Sequence, residues 1–184
     1  MGAGDEQLFG LLEDLEAQAE SAYDAERRVD LEDRSRAEYR EVTLAARLVA
    51  SVGHDLEVDV AGVGPVRGVL ERTGDGWLLL RAPSQDWVVR TASLHRVVGA
   101  SDRAVPEAAW SPLQRLGVAS LLRRLADAGS RCVVHTRDGR RHEVVVTRVG
   151  ADFLEALEGT GDSRRSVLLT LDGLAAVQSP EPEL

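Results

Sequence analysis

The sequence predicts an α+β protein: an N-terminal helical arm or hairpin, followed by two tandem five-stranded small barrels, each preceded by a helix. Three observations predict it. Between Gly10 and Gly53 there is neither glycine nor proline, in a stretch rich in the strong helix formers Ala, Leu, Glu and Arg. Beyond Gly53 the pattern changes to short β-branched runs punctuated by Gly, Asp and Pro. Those runs recur, because a shift of 76 residues places Gly53 on Gly129, Val58 on Val134, Val69 on Val145, Arg72 on Arg148, Gly74 on Gly150 and Trp77 on Phe153.

The arm spans residues 1–40. Leu8, Leu12, Leu15, Ala19, Ala22, Glu26 and Val29 follow 4-3 spacing, and Leu31, Ser35, Glu38, Val42, Ala45, Val49 and Val52 follow the same spacing in a shifted phase. Two antiparallel helices meeting around Val29 to Asp33, with Asp30 capping the second, explain the jump; one long helix with a rotating stripe is the alternative. Either way the narrow seam needs a partner. That partner is the protein's own barrels or a second copy, which makes Leu8, Leu12 and Leu15 the candidate self-association residues, a homodimer being one outcome.

The first barrel with its preceding helix is read over 41–98, with strands near Asp55–Val60, Val66–Arg72, Gly76–Arg81, Asp86–Thr91 and Ser93–Val98. Residues 99–111 form a linker. Ser111-Pro112-Leu113-Gln114 then reads as a helix start, with Ser111 as N-cap, Pro112 in the first turn and Gln114 reaching back. The helix runs to about Ala128 and stops at Gly129, burying a face of Leu113, Leu116, Leu121, Leu122 and Leu125. The second barrel with this helix covers 112–178. A four-residue insertion around Gly159 to Ser163 lengthens the offset to 80, placing Val88 on Leu168, Val89 on Leu169, Leu94 on Leu174 and Val97 on Val177. Residues 179–184 are an acidic tail.

Composition bounds the function. Of the 184 residues 43% are hydrophobic and 29% charged, enough apolar material for a folded core. The longest apolar runs, such as Trp77 to Leu80, fall far short of the roughly 20 residues that cross a bilayer, and the N-terminus is acidic instead of carrying a cationic signal start. The expectation is a cytoplasmic protein without a membrane partner. The single cysteine, Cys132, allows neither an internal disulfide nor a cysteine-clustered zinc site. Net charge is −9, distributed as −7 over 1–40, −2 over 41–110, +2 over 111–178 and −2 over 179–184. An acidic arm opposes indiscriminate attraction to phosphate backbones.

The order of a helix, a strand, a glycine turn, a bent second strand, a short turn followed by a large apolar residue, and a final pair ending in Leu-x-x-Val resembles the Sm-like (LSm/Hfq-type) fold. The clearest stretches are Val133-Val134-His135-Thr136-Arg137-Asp138-Gly139 through Val149 to Leu154, and Val66-Arg67-Gly68-Val69-Leu70 through Trp77-Leu78. The resemblance covers roughly 41–98 and 113–178 and implies two such barrels. Where RNA-binding relatives carry a polar residue, commonly Asn, this chain has Leu78 and Leu154; in place of an Arg-Gly or Lys-His pair it has Arg90-Thr91 and Thr170-Leu171. From Asp5-Glu6-Gln7-Leu8-Phe9 onward the chain also resembles a group of small actinobacterial proteins of unknown function labelled Fis-type regulators. A Fis-like helix-turn-helix is not read at its strand-like C-terminus.

Two arginine-bearing loops are the candidate contact sites for nucleic acid or an acidic partner. Arg137-Asp138-Gly139-Arg140-Arg141 reads as an Asp-Gly hairpin turn, and Gly161-Asp162-Ser163-Arg164-Arg165 as a second loop. Binding requires Arg137, Arg140, Arg141, Arg164 and Arg165 to converge. Gly62-Val63-Gly64-Pro65-Val66-Arg67-Gly68 lacks a phosphate-loop ending and reads as a hairpin turn. His54, His95, His135 and His142 have no carboxylate or cysteine at metal-ligand spacing, although His135 and His142 are candidates to face each other across a hairpin. No metal, cofactor or small-molecule substrate is expected. With no carboxylate pair, nucleophile elbow or cofactor fingerprint, an enzyme is not expected either. The leading expectation is an interaction or regulatory scaffold that self-associates or binds a protein; a nucleic-acid-associated regulator using the arginine loops is the alternative.

Overall fold

A computed structural model of the chain describes Arg36 and residues 39–179. The chain divides into residues 1–42 and 43–184, and every strand among the described residues belongs to the second unit. Leu8, Leu12 and Leu15, the hairpin-or-single-helix alternative and the acidic tail beyond residue 179 lie outside the described residues.

Helix α1 spans Leu44–Ala50. The second apolar run of the arm is not one continuous helix into it, because Glu41 turns and Thr43 takes extended angles as N-cap, its hydroxyl accepting from Ala46 N at 3.1 Å. A β-branched hydroxyl residue loses χ1 freedom inside a helix and satisfies a free N–H at its start. Five strands follow: β1 Asp55–Val60, β2 Gly64–Gly74, β3 Trp77–Arg81, β4 Asp86–Arg90 and β5 Leu94–Val98. The expected second helix splits in two. Ser111 and Gln114 make the capping box, but over a 3-10 turn, Pro112–Arg115, while helix α2 spans Val118–Ala128 with Gly117 as its cap. Gly129 ends it at φ +60°. The remaining strands are β6 Arg131–Thr136, β7 Arg141–Val149, β8 Phe153–Glu158, β9 Arg165–Thr170 and β10 Leu174–Gln178.

The strands do not close into two five-stranded barrels behind a helical arm. They form one ten-stranded antiparallel sheet of order β5-β1-β2-β3-β4-β10-β6-β7-β8-β9. The deciding contact is β4 against β10, where Trp87 pairs with Gln178, Val88 with Val177 and Val89 with Ala176. Each half alone would leave one of these apolar edges open, and an unpaired ladder in an apolar edge is costly. The two cores cross the junction accordingly. Trp77 and Val88 pack with Leu122, Val134 and Val144, while Ala175 and Ala176 pack with Leu56, Leu70 and Leu80.

The internal repeat is present in the register itself. Asp55 pairs with Val69 as Arg131 pairs with Val145, each offset by 76. Bulges fall at the same place in both halves, at Glu71 between Leu70 and Arg72 and at Thr147 between Val146 and Arg148. Val58 pairs with Val97 in one half and Val134 with Val177 in the other, matching the 80-residue offset. Even the ring packing repeats: a Cβ at Gly74 would lie within 2.2 Å of the Trp77 indole, and one at Gly150 within 2.5 Å of the Phe153 ring.

Candidate functional site

The sheet has two ends, β5 and β9, and the repeat says what each would accept. Strand β9 is the 80-residue counterpart of β4, and β5 is the counterpart of β10. In the interior, β4 and β10 cover each other, leaving Val88 at 9%, Val177 at 3% and Ala176 at 0% exposure. At the ends the counterparts are uncovered: Leu168, matching Val88, is 66% exposed, and Val98, matching Gln178, is 44% exposed. Among the described residues neither outer strand has a second neighbour. The molecule thus presents, at opposite ends of its strand order, the two halves of a pairing it already makes internally.

That internal pairing is also polar at one end. Asp86 N donates to Ser179 Oγ at 2.8 Å, and Ser179 N donates to Asp86 O at 2.9 Å. Gln178 joins His135 Nε2, 2.8 Å from its Oε1, to Gln85, whose Oε1 accepts from Gln178 Nε2. The His135 ring lies 5.2 Å from the Trp87 ring. Burial holds the imidazole below the ordinary histidine pKa despite the Gln178 bond, and Arg141 adds to the lowering. At the other end Ser93 Oγ bonds Leu174 O at 3.4 Å, and Arg137 Nε reaches Ser93 Oγ at 3.0 Å.

The two arginine loops, the β6–β7 and β8–β9 connections, leave the sheet at the same end, and most of their arginines are already paired. Arg137 ties its turn to the first half through Ser93, and its N–H donates to Gly173 O at 2.9 Å. Arg140 Nε lies 3.3 Å from Asp138 Oδ2, and Arg141 Nη2 lies 3.3 Å from Glu143 Oε1. Arg165 binds Glu158, whose other oxygen is 2.9 Å from His142 Nδ1. These pairs hold both acids below their usual range, Asp138 chiefly through the Thr136 hydroxyl and Glu158 chiefly through His142. Of the five side chains, only that of Arg164 has no polar partner among the described residues; its backbone N–H donates to Gly161 O at 3.4 Å. Of the five, Arg141 lines one of the cavities formed by the described residues, together with Arg131, Glu143 and Gln178. His135 and His142 do not face each other, since His135 pairs with Arg141 and Val134 with His142, so the two rings leave opposite faces of β6 and β7.

Cys132 is buried in the core, and desolvation pushes its thiol up to about 11. Trp110 Nε1 donates to Val105 O at 2.9 Å, stapling the linker. No group of three His, Cys, Asp or Glu is placed to hold a metal among the described residues. No described helix is long and apolar enough to cross a membrane. Sequence reasoning missed the seam residues Gln85, Trp87, Ser93 and Gln178 as a unit, although the 80-residue shift had already paired Val88 with Leu168. No protein-family model matches the chain, and no curated protein matches it significantly.

Proposed function

We propose that the protein is a non-enzymatic interaction scaffold that self-associates end to end, the β5 edge of one copy pairing with the β9 edge of the next. The observation that carries this reading is the β4–β10 seam, because it supplies the register of the contact and its central apolar pair, Val88 with Val177, recurs as Leu168 with Val97. Transferred by 80 residues, Val97 of one copy would oppose Leu168 of the next, with Arg96 opposite Leu169 and Val98 opposite Val167. Strand addition of this kind takes affinity from main-chain hydrogen bonds and selectivity from alternate side chains. Such a contact is heterologous, so it extends to a ring or a filament and does not stop at a symmetric pair. The nucleic-acid alternative finds less support, since four of its five arginines already have partners within the chain.

Sedimentation velocity over a range of loading concentrations tests the reading. Wild-type protein should shift to larger species with concentration and change little with salt, whereas Leu168→Lys should remain monomeric. Retained association in Leu168→Lys, together with its loss in Leu12→Glu/Leu15→Glu, would move the contact to the arm and refute edge pairing.

A further inference from the structure

A second surface feature shares no residue with β5 or β9. Between the β2–β3 hairpin and α2 runs an open groove of about 730 Å³ whose walls include Trp77, Leu79 and Leu121. Leu113 on the 3-10 turn and Leu116 just past its end stand on the rim at 45% and 44% exposure. The wall is rigid where it needs to be: Trp77 Nε1 donates to Leu116 O at 2.7 Å, and Asp75 N donates to the same carbonyl at 3.0 Å, tying the turn to the hairpin.

The charge on the rim is one-sided. Arg81 is neutralised by Glu71 at 3.0 Å, but Arg72 and Arg124, both exposed, have no ion-pair partner among the described residues. The groove therefore combines an apolar floor with two unmatched guanidinium groups, in a chain whose other exposed arginines on β2, β5, β7 and β9 mostly meet a carboxylate. A closed pocket would suit a small amphiphile, which needs most of its surface covered. An open trough with exposed leucines at helical spacing suits an amphipathic helix laid along it.

We infer that the groove between the β2–β3 hairpin and α2 is a docking site for an acidic amphipathic helix of a protein partner, its apolar face on Trp77, Leu79, Leu116 and Leu121 and its carboxylates on Arg72 and Arg124. The guanidinium groups select the partner by charge, and the leucines hold it by burial. The inference is independent of end-to-end pairing, and Leu168→Lys leaves the groove intact.

The probe is a fluorescently labelled peptide of about four helical turns, ~14 residues, with leucines at 4-3 spacing and glutamates elsewhere; a counterpart carries lysines in place of glutamates. Binding to the full chain is read by fluorescence anisotropy at low and moderate salt. The glutamate peptide should bind and the lysine peptide should not. Arg72→Glu/Arg124→Glu should weaken binding about tenfold or more, consistent with loss of two charge-assisted contacts. Arg123→Glu, on the same helix but outside the groove, should change it little, and Leu113→Ala should weaken it with the fold intact by circular dichroism. Equal binding of both peptides, binding indifferent to the double reversal, or no binding at all would overturn the proposal. So would binding of dodecanoate in the groove without binding of the peptide, which would make it a small-amphiphile site.

Discussion

Replacing Gly62 with alanine probes how firmly the two halves are joined. Gly62 sits in the β1–β2 turn at φ +71°, a left-handed conformation that costs a non-glycine residue about 1–2 kcal/mol. The larger effect is contact. A Cβ there would lie 2.3 Å from Thr136 O and 2.8 Å from both Arg137 O and Gly139 N, backbone atoms of the β6–β7 turn that cannot rotate away. Relieving such an overlap by shifting packed backbone costs about 1–3 kcal/mol, so Gly62→Ala should destabilise by about 2–5 kcal/mol in total. Gly64→Ala is the matched control, since Gly64 has φ +94° but nothing within 4 Å of its ideal Cβ. In urea, where small proteins lose about 1–3 kcal/mol per molar, Gly62→Ala should unfold roughly 1 M earlier than Gly64→Ala. Equal midpoints for the two variants would refute a close junction between the β1–β2 and β6–β7 turns.

Other outcomes follow from the seam and the core. His135 has a lowered folded pKa, so the unfolded chain takes up the proton first; stability should be full above the ordinary value of 6.5 and fall as pH drops through and below it, and His135→Gln should flatten that slope in urea midpoints measured from pH 7.5 to 5. Cys132, with its thiol pushed up to about 11 and buried, should resist iodoacetamide at pH 8 in the native state and react once urea unfolds the sheet; rapid labelling of native protein would contradict its placement. Trp77→Phe keeps most of the apolar volume but leaves Leu116 O without its indole donor, which should cost about 1–2 kcal/mol and loosen the 112–116 turn, read by hydrogen exchange at Asp75 and Leu116.

The strands were legible because the signal that marks them is local. Val58 alternates with the acids around it on a period of two, the apolar runs at 77–80 and 144–146 are flanked by glycine or polar residues, and the glycines at 74 and 150 precede the aromatic rings they must accommodate. What joins the halves was not legible. Trp87-Val88-Val89 and Val167-Leu168-Leu169 have the same pattern, yet Val88 is covered by the core it shares with Leu122, Val134 and Val144 beyond the β4–β10 junction, and Leu168 is open. The pairing within the arginine loops was hidden for a related reason: Glu143 and Glu158 are the partners of Arg141 and Arg165, and only the strand register brings Glu158 to both Arg165 and His142. The break at Gly117 was concealed by the apolar spacing running through it, although a glycine lowers helix propensity by about 1 kcal/mol.

The most direct test of end-to-end pairing is to block one end at a time and then mix. Leu168→Lys places a charge on the β9 edge, and Val98→Lys places one on the β5 edge; burying Leu168 as Val88 is buried is worth about 1–1.5 kcal/mol, which the lysine forfeits along with its own desolvation cost. Each variant alone retains one open edge of a kind that does not pair with itself, so each should sediment as a monomer. An equimolar mixture should form a one-to-one dimer and nothing larger, because the intact β5 of one meets the intact β9 of the other. A mixture that stays monomeric at concentrations where the wild type assembles, or a wild type that never assembles, would contradict the account.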